Sequence, residues 1–229
     1  MATTKKRKSS GAEASPAGAG PGFADSVVRF YSGLFQEWRR ATSFKSPDLD
    51  SFFLNKDRVE VGLTPHDVVY EEGKLRLLHY RAQSKKVLRP PLLVVYALVN
   101  RPYILDLRPG RSVIEALVKG GVDVYLIDWG APDLADRYLD LDDYVSGLIP
   151  RCAERAMKRA GTDKVSMLGY CMGGTLSTMF AATHPGWVKN LILMAAPIDF
   201  HVREGLLNLW SDARNYDVDQ LVDAYGNVP

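Results

Sequence analysis

Between residues 23 and 41 the apolar positions keep helical spacing. Val27, Phe30, Tyr31, Leu34, Phe35 and Trp38 stand at i, i+3, i+4, i+7, i+8 and i+11, one wide apolar stripe. Such a face must be buried, against its own domain or a partner. From residue 67 the pattern changes to that of a sheet. DVVYEE and LRLLHY, separated by Gly73 and Lys74, predict a hairpin over 67–80. LLVVYAL (92–98) is a continuous apolar run, as expected of a strand buried on both faces. A helix is predicted at 112–119, a buried strand at 122–129 and a long helix at 141–160. KVSMLGY (164–170) predicts a strand, MGGTLSTMFAATH (172–184) a helix, and VKNLILMAAP (188–197) another strand. A hairpin followed by alternating strands and helices implies an α/β fold, a mainly parallel sheet with helices on both faces. Two amphipathic helical segments follow Pro197, and no further buried strand.

The flanking segments divide the chain further. Residues 1–22 are small, polar and rich in Ala, Gly, Ser and Pro, and they read as a disordered tail. KKRK (5–8) within it reads as a solvated basic run. The expected organisation is this tail, an amphipathic helix and linker at 23–58, an α/β core at 59–200, and a further helical region from 201 to 229. Composition adds limits. Hydrophobic residues make up 46% of the 229, enough for a substantial core, and the net charge of +2 gives no case for a nucleic-acid partner. The two cysteines, Cys152 and Cys171, do not make a disulfide framework, so a reducing, cytoplasmic setting is expected. No apolar run reaches the roughly 18–20 residues of a transmembrane helix. No metal-ligand cluster is read from the sequence.

The candidate chemistry lies at Gly169-Tyr170-Cys171-Met172-Gly173. This is G-x-nucleophile-x-G, with a thiol where many hydrolases have a hydroxyl. The motif needs a sharp strand-to-helix turn, with the glycines (Gly169, Gly173) leaving room for it. A predicted strand before it and a predicted helix after it supply that context. At a helix N-terminus a thiolate is favoured. The Met172 backbone N–H is the first expected oxyanion donor. A second is expected from the loop after the earlier central strand, around Val99 and Asn100. A thiolate exchanges one thioester for another, and its acyl intermediate stays reactive toward a second nucleophile. The thiol therefore points to acyl transfer from a substrate such as an acyl-CoA. A cysteine-dependent thioesterase or hydrolase of the same fold is the alternative. Cys152, among apolar helical neighbours, reads as a small buried hydrophobe.

A base and an acid are harder to find. In this motif's chain order an Asp or Glu and then a His follow the nucleophile. His184 ends the helix that Cys171 begins, roughly 20 Å away at about 1.5 Å per residue. His201 lies at the right edge of the sheet but too early in the chain. His66 and His79 belong to the hairpin and read as half-buried structural residues. Asp128 and Asp199 follow strand ends, where holding loops through backbone hydrogen bonds is the expected use. The catalytic Asp and His are thus not read in this chain. It reads as the N-terminal part of a longer enzyme, or as a truncated paralogue that binds a partner without activity.

TPHDVVYEEGKLRLLHYRAQ, YALVNRPYILDL, DVYLIDWG, VSMLGYCMGGTLS and LILMAAPIDFH, in this order, resemble the polyhydroxyalkanoate synthases, most closely the catalytic subunits of class III, over about residues 60–229. The resemblance implies an α/β-hydrolase fold with an inserted cap, of which residues 201–229 are the beginning. It implies Cys171 as nucleophile, an (R)-3-hydroxyacyl-CoA as substrate rather than any cofactor, and polyester plus free CoA as products. It further implies a second synthase subunit, self-association, and a cytoplasmic or polymer-granule location.

Overall fold

The computed structural model describes residues 60–201 and, beyond them, 205, 208, 212, 214 and 217–225. The expected tail, the helix at 23–41 and most of the region after 201 lie outside the described residues. Six strands, β1 (His66–Glu72), β2 (Leu75–Tyr80), β3 (Leu88–Val95), β4 (Val122–Asp128), β5 (Val165–Tyr170) and β6 (Val188–Met194), form one sheet. Its order is β1-β2-β4-β3-β5-β6. β1 and β2 are the predicted hairpin, β2 meets β4 antiparallel, and β4, β3, β5 and β6 run parallel. Among the described residues the helices are α1 (Val113–Lys119), α2 (Ile149–Ala160), α3 (Met172–Thr183) and α4 (Val218–Tyr225).

Helices pack on both faces, and alternation along the strands sorts the core. Leu93 and Val95 of β3 join Tyr125, Ile127, Val165 and Met167 beneath α2 and α3. Leu92, Val94 and Tyr96 turn to the opposite face with Val124 and Leu126, against Ile114 and Val118 of α1. This is the two-residue period of a strand read on both sides. In α2 the buried positions are Ile149, Cys152, Ala153, Ala156, Met157 and Ala160, one face at helical spacing. Fully burying a side chain the size of Ile149 contributes about 1.5–3 kcal/mol. Gly161, at φ 66°, closes α2 in the left-handed conformation, where a Cβ would be penalised.

Three elements differ in detail from the sequence expectation. The long helix at 141–160 contains a π-helical stretch, Asp143–Leu148, in which the Ile149 N–H bonds to the Tyr144 carbonyl five residues back. Pro150 explains it: a proline ring clashes with the carbonyl four residues earlier, and a wider turn relieves that clash. β3 begins at Leu88, before the apolar run, but its pairing with β4 breaks between Leu88 and Leu92, where Pro90 and Pro91 have no N–H to donate. It ends at Val95, so Tyr96 and Ala97 remain fully buried outside the ladder. β6 stops at Met194. It is one of the two edge strands of the described sheet, with Leu191, Ile192 and Leu193 partly exposed.

The topology fixes where a site can form. The chain leaves β3 for α1 on one face and leaves β5 for α3 on the other, and these strands are neighbours. Connections that part in this way open a crevice at the carboxyl ends of the two strands. Tyr170 ends β5 at that crevice, with Cys171 next in the chain.

Candidate active site

Cys171 is the single residue between β5 and α3, at φ 54° and ψ −129°. A side chain rarely adopts this backbone, and holding it costs of order 1–3 kcal/mol. The turn is fixed by its own bonds. The Cys171 N–H donates to the Met194 carbonyl (2.9 Å), and its carbonyl accepts from the Gly174 N–H (2.8 Å). The thiol is partly exposed.

The glycines are required by close approach. A Cβ on Gly169 would stand 2.4 Å from the Gly174 Cα, and one on Gly173 would stand 2.1 Å from the Val95 carbonyl oxygen. Gly174, not singled out from the sequence, is as constrained: its Cβ would meet the Ala196 Cβ at 2.3 Å. The doubled glycine after the cysteine was the signal for it. The first turn of α3 therefore lies against the end of β3 and the start of its loop. Met172, the first residue of α3, has an N–H without an intrahelical acceptor.

That loop is tightly held. The Asn100 N–H donates to the Ala97 carbonyl (3.3 Å) across a turn containing Leu98 and Val99, and the Val99 side chain is 71% exposed. The 3₁₀ turn Pro102–Leu105 follows. Buried Asp106 then anchors the loop, accepting from the Thr64 N–H (3.0 Å), the Thr64 hydroxyl (2.7 Å) and the Ser112 hydroxyl (2.5 Å). Ser112 in turn caps α1 by accepting from the Glu115 N–H at 2.9 Å.

Asp128, buried at the end of β4, holds a loop as its sequence context suggested. Its Oδ1 accepts from the Gly130 N–H (3.1 Å), and its Oδ2 pairs with Arg76 (2.5 Å). Tyr96 and Trp129, missed in the sequence as site residues, join it. The Trp129 Nε1–H donates to the Tyr96 carbonyl at 3.0 Å, and the Trp129 backbone N–H to the Tyr96 hydroxyl at 3.4 Å. The Tyr96 hydroxyl reaches Asp128 Oδ1 at 3.5 Å. Burial, and then the Asp128 charge, push the Tyr96 phenol up from its ordinary value, so it stays protonated.

The four histidines all have other surroundings. His184 caps the C-terminal end of α3, away from Cys171, and stacks on Phe180. His201 is fully exposed and lies 3.3 Å from the Asp199 carboxylate. His79 pairs with Asp123 at 2.8 Å and stacks on Tyr125, and His66 bonds the Thr64 carbonyl. Cys152 is fully buried, and burial pushes its thiol up to about 12, far from any reactive thiolate. Among the described residues no group of His, Cys, Asp and Glu could hold a metal ion, and no helix is long and apolar enough to cross a membrane.

The arrangement is a strand–Cys171–helix turn whose first helical turn lies against the end of β3, at the switch point of a parallel sheet. Comparison with known proteins agrees. The α/β-hydrolase fold family matches residues 90–224, and the N-terminus of poly-beta-hydroxybutyrate polymerase (PhaC) matches residues 31–117. The poly(3-hydroxyalkanoate) polymerase subunit PhaC of Haloferax mediterranei is 52% identical over 171 residues, which are 75% of this chain and 35% of that protein. Its counterpart in Allochromatium vinosum is 48% identical over 178 residues, 77% of this chain and 50% of that one. That of Thiocystis violacea is 46% identical over 197 residues, 86% and 55% respectively. The chain thus spans between about a third and just over half the length of these relatives.

Proposed function

The chain belongs to the α/β-hydrolase fold family, with the N-terminal region of the PhaC polymerases, and from this we propose that it contributes the nucleophile of a polyhydroxyalkanoate polymerase. The observation that carries the reading is Cys171 held at φ 54° between β5 and α3, its thiol partly exposed and making no capping bond to the helix. The names of the relatives, polymerase subunits, supply the substrate class.

The reaction so proposed starts with the Cys171 thiolate attacking the thioester carbonyl carbon of an (R)-3-hydroxyacyl-CoA. The π electrons move to the oxygen, which the Met172 and Val99 amides would hold; the Asn100 amide is already engaged by Ala97. The tetrahedral carbon collapses, its bond to the CoA sulfur breaks, and CoA leaves carrying the proton that Cys171 lost. The hydroxyl of a growing polyester then attacks the acyl-enzyme, gives its proton to a base, and releases Cys171. One thioester becomes one ester and one free CoA. The reaction needs no cofactor, and it needs water kept from the acyl-enzyme. The acid and base that activate the sulfur are not among the residues described above. A free thiol suits a reducing cytoplasm, with the polymer granule as the product's location, and the word "subunit" in the relatives' names supports a second chain in the working enzyme.

The test uses the full-length protein. Cys171→Ala should abolish CoA release from (R)-3-hydroxybutyryl-CoA and the mass increment on the chain, while Cys152→Ala retains both. Insoluble polyester as product supports the polymerase; free hydroxy acid alone would make the protein a cysteine thioesterase. Undiminished CoA release by Cys171→Ala would remove the assignment.

A further inference from the structure

Where β3 and β4 end, their ladder ends too. The last paired positions of β3 are Val94, opposite Leu126, and Val95, opposite Gly169 on its other side. Tyr96 is the first residue without a strand partner, and it begins the loop whose turn contains Val99. A loop leaving a sheet at this point has lost the bonds that fixed its peptide planes. Trp129, one residue past β4, replaces them twice. Its indole N–H bonds the Tyr96 carbonyl and its backbone N–H bonds the Tyr96 hydroxyl, so each residue meets the other through main chain and side chain. The indole is itself held: the Tyr144 ring stands edge-on to it at 5.4 Å and 80°. Tyr144 lies in the π-helical stretch, where its carbonyl accepts the Ile149 N–H. The first turn of α3 lies against the same stretch of chain and leaves no room even for a Cβ at Gly173, which would stand 2.7 Å from the Tyr96 carbonyl carbon.

The Tyr96–Ala97 peptide is therefore held by the Trp129 indole N–H and packed closely by the first turn of α3. Its orientation sets the base of the 97–100 turn, and so the direction of the Val99 amide relative to the Met172 amide. We propose that Trp129 is a positioning residue for the oxyanion-binding amides, its indole N–H fixing the Tyr96 carbonyl so that the amide after β3 and the amide at the start of α3 converge on one point. This rests on Cys171 being the acyl-accepting nucleophile. The interaction matters when negative charge develops on the substrate oxygen and little before it.

Two ligands separate that role from packing. A trifluoromethyl ketone analogue of the acyl-CoA accepts Cys171: a C–S bond forms, and the carbonyl π pair becomes an oxyanion. A thioether analogue binds but cannot form that oxyanion. In the full-length protein, Trp129→Phe keeps a ring beside Tyr144 and deletes the N–H. It should weaken the ketone about fivefold, on the scale of one neutral hydrogen bond, and lower the acylation rate equally. The thioether affinity should stay within twofold. Tyr96→Phe, which loses only the hydroxyl half, should move the same way by a smaller factor and serves if Trp129→Phe does not fold. Equal loss of both ligands, or no loss of either, overturns the positioning role. Absence of any ketone adduct on Cys171 in the unaltered protein overturns the nucleophile assignment, and the positioning role with it.

Discussion

Gly173→Ala is the sharpest perturbation of the elbow that removes no candidate reacting group. The added methyl would stand 2.1 Å from the Val95 carbonyl oxygen, 2.6 Å from its carbon and 2.7 Å from the Tyr96 carbonyl carbon. All three are main-chain atoms at the end of a central strand, so no side chain can swing away. Reaching an ordinary contact of 3.4 Å from 2.1 Å requires α3 to retreat by about 1.3 Å. Overpacking of this kind costs about 1–3 kcal/mol, and backbone on both sides puts it near the upper end. Alanine returns about 1 kcal/mol of helix propensity. The net expectation is about 2 kcal/mol of destabilisation, or a Tm lower by roughly 4–8 °C for a chain of this size. A displacement of about 1 Å at the reacting groups should also slow acylation about 100-fold. Denaturant unfolding gives the first number and the rate of acyl-enzyme formation the second. Gly186→Ala is the control, since a Cβ there meets nothing within 4 Å. A Gly173→Ala protein within about 0.5 kcal/mol of the unaltered one, with its acylation rate intact, would refute the close approach of α3 to β3.

The strain at Cys171 gives a second outcome. Glycine relieves a cost of about 1–3 kcal/mol at φ 54° but adds about 0.5–1 kcal/mol of chain entropy, so Cys171→Gly should unfold about 1 kcal/mol later than Cys171→Ala, with both inactive. Equal stabilities would mean that the backbone relaxes without the thiol. Cys152 gives a third. Its thiol has an ordinary value of 9.0 and is pushed up to about 12 by burial. Between those values the folded chain keeps a proton that the unfolded chain has lost, so stability must fall as pH rises through that window. Cys152→Ala should flatten the decline in unfolding free energy between pH 9 and pH 11; an unchanged slope contradicts the burial. Tyr125, whose phenol is also pushed up to about 12, contributes a decline of the same sign in both proteins, with its onset nearer 10.

Local rules made part of this protein legible in one dimension. A continuous apolar run marked β3, and two strand-like segments separated by Gly73 and Lys74 marked the β1–β2 hairpin. Two glycines around a cysteine between a strand and a helix marked the elbow. Each is a short-range signal, because pleat, helical period and turn sterics act between near neighbours. The base rests on no such signal, and neither do the residues that hold the oxyanion loop. Tyr96 looked like one more apolar residue of a strand, and Trp129 like the end of another. Their pairing appears only when β3 and β4 lie side by side, 33 positions apart in the chain. The same is true of Gly173 beneath Val95, and of Met194 accepting the Cys171 N–H across β5 and β6. Sequence alone determined which thiol is the candidate and on what kind of turn it stands, since the chemistry of a thiol and the room around a glycine belong to single residues. Only the tertiary structure decided what stands opposite that atom, because hydrogen bonds between distant peptides depend on strand order and register, which no local pattern specifies.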